Sequence, residues 1–232
     1  MKRILPFIII LLVLGVALGS AWYLKRSATD VHRVSATNVT SPSANSQNSG
    51  PATAAVGGAE PAHTQGPANA PVHLEEFGDF ECPPCGLLHP ILVQMRHEFG
   101  DNLQITFREF PLVPTHQHAV AAASSAEAAA LQGKFWEMHD MLYENQKEWH
   151  EAFDVRPIFE GYAKKIGLDL ERFKQDVNSE PVAQRIFLDG KRGHSLGVKG
   201  TPTVFLNGRE VPFESLPADK LRVLIKELTG TK

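Results

Sequence analysis

Residues 27–70 contain no isoleucine, leucine, phenylalanine, tyrosine or tryptophan, and 33 of these 44 positions are alanine, serine, threonine, asparagine, glycine or proline. Such a segment has too little apolar surface to offset the entropy of ordering it. Folding in this chain of 232 residues is therefore expected in residues 71–232. The segment itself reads as a flexible tether with an r.m.s. span of roughly 35 Å. Before it, Lys2 and Arg3 lead into an uncharged, largely apolar run over residues 4–24, closed by Lys25 and Arg26. A helix of that length matches the ~30 Å hydrocarbon core of a bilayer. Residues 1–26 are expected to be a signal-anchor, or a signal peptide cut near the small residues Ala17, Gly19 and Ala21. Either would place the remainder outside the cytoplasm.

The folded part is acidic, with 18 lysines and arginines against 24 aspartates and glutamates in residues 71–232. That balance argues against a nucleic-acid partner, which wants a concentrated basic surface. Residues 72–80 and 103–112 carry strand patterns, and the segment 82–99 between them has helix length, which makes a βαβ unit. From about 115 to 196 the period becomes helical: Val155, Ile158, Phe159, Tyr162, Ala163 and Ile166 fall on one stripe, as do Phe135, Met138, His139 and Leu142. Two short strands, 203–206 and 209–211, flank Asn207-Gly208, the preferred type I′ hairpin dipeptide. A last helix over 217–228 places Leu221, Leu224, Ile225 and Leu228 on one face. The order β-α-β, helical block, β-β-α predicts an α/β fold with a central sheet.

Only two cysteines occur, in Cys82-Pro83-Pro84-Cys85, between the first strand and its helix. A multi-disulfide scaffold and a four-cysteine zinc site are excluded. Residues i and i+3 share a helix face, so the two sulfurs can close a short disulfide. At the helix N-terminus Cys82 meets free N–H groups and the positive end of the dipole, which stabilise a thiolate, and Cys85 is positioned to resolve a mixed disulfide. Pro83 suits the first turn, where a missing N–H costs little. Two other readings of the pair are a metal site completed by His89, His116, His118 or His194, and a purely structural disulfide, although a loop this short constrains little of the unfolded chain.

These residues resemble the thioredoxin superfamily, and within it the DsbA-like thiol:disulfide oxidoreductases of bacterial envelopes, especially the membrane-anchored forms. The resemblance rests on Glu76-Phe77-Gly78-Asp79-Phe80-Glu81-Cys82-Pro83-Pro84-Cys85, on Gly133-Lys134-Phe135-Trp136-Glu137-Met138-His139-Asp140, and on Gly200-Thr201-Pro202-Thr203. It implies a thioredoxin-like fold with an inserted helical subdomain at about 115–196. It also implies that Cys82 is the exposed attacking sulfur, Cys85 its buried partner, and Glu76 a buried acid that assists proton transfer at Cys85. Pro202 matches the family's cis-proline, and Thr201 would offer backbone groups to an extended substrate. His89, Trp136 and His139 read as packing residues.

The resemblance further implies exchange of the Cys82–Cys85 disulfide with reduced or misoxidised exported polypeptides, chiefly as an oxidant. The partner would be a membrane redox protein, either a quinone-linked oxidase or an electron donor. The dithiol itself carries the electrons, so neither an organic cofactor nor a metal is implied. The domain is expected to be monomeric on the extracytoplasmic side, held at the inner membrane by residues 4–24. A tethered reductase and a non-enzymatic metal- or client-binding module are the alternatives. The sequence departs from the family's exported oxidants at Pro84, where those commonly carry histidine or an aromatic residue. Pro83 and Pro84 lack N–H groups, which leaves the Cys85 amide as the motif's donor to a Cys82 thiolate. Asp79 and Glu81 are expected to oppose that thiolate, which points to a milder oxidant.

Overall fold

A computed structural model describes residues 56–113 and 115–230, all within one compact unit. The expected membrane segment over 4–24 and the tether as far as residue 55 lie outside the described residues. Among the described residues no helix is long and apolar enough to cross a membrane.

The chain runs β1 (His63–Gln65), β2 (Val72–Gly78), α1 (Pro83–Phe99), β3 (Leu103–Glu109), α2 (Ala119–Ala130), α3 (Phe135–Glu144), α4 (Gln146–Trp149), α5 (Arg156–Lys165), α6 (Leu170–Asp176), α7 (Glu180–Ser195), β4 (Thr203–Leu206), β5 (Arg209–Val211) and α8 (Ala218–Thr229). One five-stranded sheet has the order β1-β3-β2-β4-β5. β2 and β3 are parallel, as a helical crossover requires, and the other pairs are antiparallel. The hairpin forms where Asn207-Gly208 predicts it, with φ of 47° and 77° at the two turn residues.

Strand alternation sorts the sheet into two faces. Val72, Leu74, Leu103, Ile105, Val204 and Leu206 pack with α1 and α8 through Leu88, Met95, Leu221 and Ile225. On the opposite face Phe77, Phe110, Val198 and Phe205 form a smaller cluster, and a Cβ on Gly193 of α7 would meet the Phe110 ring at 2.6 Å. Thus α7, which ends the helical block, also covers the second sheet face. The rest of the block builds its own core around Met138, Leu142, Trp149, Phe159 and Phe173, and the buried Trp149 Nε1 donates to the Leu142 carbonyl at 2.9 Å.

The expected boundary at residue 71 is corrected. From Val56 onward the described chain is part of the fold, and β1 pairs with β3 along its length. What secures this arm is polar. Asp189 accepts from the Ala59 N–H at 2.8 Å and from Arg108 Nη1 at 3.0 Å, and Arg108 also donates to the Ala59 carbonyl and to Glu75. Arg185 bonds Glu127 at 2.6 Å and the Pro61 carbonyl at 2.9 Å. His63 stacks on Phe135 with ring centroids 3.5 Å apart. Counting apolar residues along 56–70 misses this, because the arm is held by ionic and hydrogen-bond partners on distant elements.

Candidate active site

β2 ends at Gly78, and the chain reaches α1 through Asp79, Phe80, Glu81 and Cys82. Gly78 has to be glycine for close approach: a Cβ there would lie 2.4 Å from the Phe107 ring and 2.9 Å from Tyr143 Oη. The loop is fixed from several sides. The Cys82 N–H donates to the Asp79 carbonyl at 3.1 Å. Asp79 Oδ1 accepts from the Glu81 N–H, and Asp79 Oδ2 accepts from the Leu112 N–H and lies 2.8 Å from His116 Nδ1. Glu81 Oε2 accepts from the His118 N–H at 2.6 Å. Gln146, at the start of α4, donates to the Phe80 and Cys82 carbonyls at 2.7 and 2.9 Å. Local sequence held no signal for Gln146, since its role depends on the helical block lying against this loop.

Cys82 is the N-cap of α1, and Pro83 and Pro84 occupy the first turn. Both cysteines are free thiols. Across the loop the Thr201–Pro202 peptide is cis, and the Cys82 thiol donates to the Thr201 carbonyl at 3.3 Å. Cys82, Cys85, Thr201 and Pro202 therefore meet at one place, with Glu76 in the sheet below. The expectation of an exposed Cys82 is corrected: the residue is 5 % exposed, against 0 % for Cys85. Its neighbour Pro83 is exposed, so the sulfur lies just beneath the surface.

The two thiols are unlike. The hydrogen bond from Cys85 holds the Cys82 thiol down to about 6, against the cost of burial, and Thr201 and the Cys85 N–H add to it. The Thr201 hydroxyl is buried with no hydrogen-bond partner, and the bond across the loop is the one from Cys82 to the Thr201 carbonyl. Asp79 opposes the thiolate, as expected, as the least of these causes. Cys85 is pushed well above an ordinary thiol by burial first, then by its bond to Cys82 and the charge of Glu76. Because the Cys82 value lies below the ordinary 9.0, the reduced domain gains stability as pH rises from about 6 toward 9 and loses it as pH falls through 6. Ultraviolet thiolate absorbance of the reduced domain should titrate with a midpoint near pH 6. A midpoint near that of a free thiol would refute the assignment.

Glu76 is 3 % exposed, and its Oε1 has no hydrogen-bond partner. Burial, and then the charge of Cys82, raise its carboxyl to about 8. Glu109 shares its sheet face, since Glu76 pairs with Phe107 and Gly78 with Glu109, and burial likewise pushes Glu109 up. The buried Tyr143 hydroxyl also lacks a partner. The histidines that a metal site on the cysteines would need are engaged elsewhere: His116 with Asp79, His118 with the Ala152 carbonyl, and His194 edge-on to Phe110. His89 is buried and groups with His139 and Asp140 rather than with either sulfur. Trp136 and His139 pack together against Phe135, as expected of packing residues.

Known proteins match this chain in sequence and in fold. A thioredoxin family model matches residues 59–227. The fold is similar to that of BdbD from Bacillus subtilis, with a TM-score of 0.65 and 22% identity over 73% of this chain and 93% of that one. It is also similar to a thioredoxin-like oxidoreductase from Silicibacter pomeroyi, with a TM-score of 0.61 and 24% identity over 74% and 94% of the two chains. The thiol-disulfide exchange protein alpha-DsbA2 from Wolbachia pipientis gives a TM-score of 0.59 at 21% identity over 72% and 87%. In sequence, the chain is 43% identical over 148 residues to a protein named Na(+)/H(+) antiporter NhaA 1 from Salinispora arenicola, covering 63% of this chain. The match spans about a fifth of that relative's length, 22%. With its dithiol at a strand-to-helix junction beside a cis-proline, the chain belongs to the thioredoxin family and has the fold of that family's DsbA-like thiol–disulfide oxidoreductases.

Proposed function

We propose that this chain donates the Cys82–Cys85 disulfide to reduced cysteines of exported polypeptides. The observation that carries this reading is the pairing of two unlike thiols, one depressed and one raised, at the start of α1 against Thr201–Pro202. A client thiolate attacks Cys82 Sγ, and the bond to Cys85 breaks with its electron pair on Cys85. That buried thiolate takes the proton of neutral Glu76. A second client thiolate then attacks the client sulfur of the mixed disulfide and expels Cys82 as a thiolate, which is stable above about pH 6. The client gives two electrons to the disulfide and two protons to solvent, and one proton from solvent restores Glu76 in place of the one it gave Cys85. An extended client segment would pair with the backbone at Thr201, as an added strand does.

A depressed Cys82 stabilises the dithiol over the disulfide, which makes the disulfide a donor. Reoxidation would fall to a membrane redox partner, with residues 4–24 as an anchor on the extracytoplasmic side. The antiport named for the Salinispora relative is not part of this reading, since the match covers about a fifth of that protein. Equilibration with glutathione and trapping of free thiols tests the direction. A potential well above the glutathione couple supports disulfide donation; one well below it makes the protein a reductase. Pro84→His should raise the potential by adding an N–H donor and a cationic ring beside Cys82, and an unchanged or lower value would refute the account of Pro84.

A further inference from the structure

Cys85 is fully buried and Glu76 is 3 % exposed, so the proton this mechanism assigns to them has to cross the protein interior. A cavity of about 20 Å³ reaches Glu76 and is also lined by His89, His139, Asp140 and Trp136. That volume accommodates about one water molecule, and the lining offers it the two to four polar partners such a site requires. Exposure rises along the lining, from Glu76 through His139 at 5 % and His89 at 8 % to the Asp140 side chain at 44 %. His139 Nδ1 lies 2.9 Å from Asp140 Oδ1, and His89 Nε2 lies 3.9 Å from the same oxygen. His89 follows Cys85 by one turn of α1, and its ring sits 5.3 Å from those of both His139 and Tyr143.

We propose that this cavity is the route by which Glu76 exchanges its proton with solvent, with Asp140 at its mouth. The inference rests on the role given to Glu76 above. After Glu76 protonates Cys85, its carboxylate regains a proton that enters at Asp140 and crosses the imidazoles, each of which can accept at one ring nitrogen and release from the other. No electrons move in this step, and the proton comes from water. Around Glu76 the ionisable groups are Cys82, Cys85 and Tyr143. His89 faces His139, Asp140 and Glu144; His139 faces Asp140 and His63; Asp140 also faces Arg96. Both imidazoles are held neutral by burial, so they transmit a proton without storing one.

A route alters rates in both directions and leaves the equilibrium untouched, which separates it from a packing role. The test follows mixed-disulfide formation, the step that leaves Cys85 to be protonated, by rapid quench over successive turnovers across the neutral pH range in the full chain and in His89→Phe, Asp140→Asn and Glu76→Gln. His89→Phe keeps an aromatic ring on Tyr143 and removes both nitrogens. Each of the first two variants should slow the proton-coupled step by ~10-fold with the reduction potential unchanged, and His89→Ala should regain rate in imidazole buffer. If Glu76→Gln removes the pH dependence while His89→Phe and Asp140→Asn keep the parent rate, the route is wrong and the role of Glu76 stands. If Glu76→Gln leaves the pH dependence intact, the role of Glu76 fails and the route fails with it. Rate losses matched by a shift in potential would also overturn the route.

Discussion

Cys82→Ser should abolish disulfide donation to a reduced client protein, a loss of ~10³-fold or more, whereas Cys85→Ala, offered a client that carries a disulfide, should attack it through Cys82, release one client thiolate and accumulate the client joined to Cys82. The two substitutions differ because the sulfurs differ in access and charge. Cys82 is 5 % exposed beside the exposed Pro83, while Cys85 is 0 % exposed beneath it. Attack at Cys82 also leaves Cys85 as the departing sulfur, next to a neutral carboxyl able to protonate it. Without Cys85 the mixed disulfide has no internal thiol to release it, so it should persist on a non-reducing gel. An active Cys82→Ser variant, or a mixed disulfide trapped at Cys85, would reverse the assignment.

The largest effect on stability is expected at Asp189, which the redox step does not use. Its carboxylate is 1 % exposed and accepts from the Ala59 N–H, Arg108 Nη1 and, at 3.3 Å, the Glu109 N–H. Burial raises the Asp189 carboxyl even with Arg108 beside it. The pair therefore adds little over a neutral packed alternative, but removing one member leaves the other groups without partners. Asp189→Ala should cost about 3 kcal/mol, which for a domain of this size lowers the melting temperature by roughly 6–12 °C. Asp189→Asn retains one acceptor and should cost less. The same loss should release residues 56–65, seen as faster amide exchange in β1. An unchanged melting temperature in Asp189→Ala would show that the arm is held by other contacts.

Much of the fold was legible because its signals are local. The 203–211 hairpin follows from two turn residues that adopt positive φ, and α1 follows from a cysteine cap with prolines in the first turn. Burial of Phe135, Met138 and Leu142 follows from their spacing. The arm over 56–70 was not legible, because its partners Arg108, Asp189 and Arg185 lie far along the chain and bind through charge and backbone. Gln146 went unseen for the same reason.

At the site, the sequence by itself determined where the chemistry sits: two thiols three residues apart at a helix start, with proline in the first turn, are placed to close and open a short disulfide. Tertiary structure decided which state each group holds. Thr201 reaches Cys82 only because β4 pairs with β2. Glu76 is raised because folding removes it from water and sets it near Cys82. Spacing along a chain sets which atoms can meet locally, whereas proton affinity depends on the dielectric and charges that distant segments bring, and those exist only once the chain has folded.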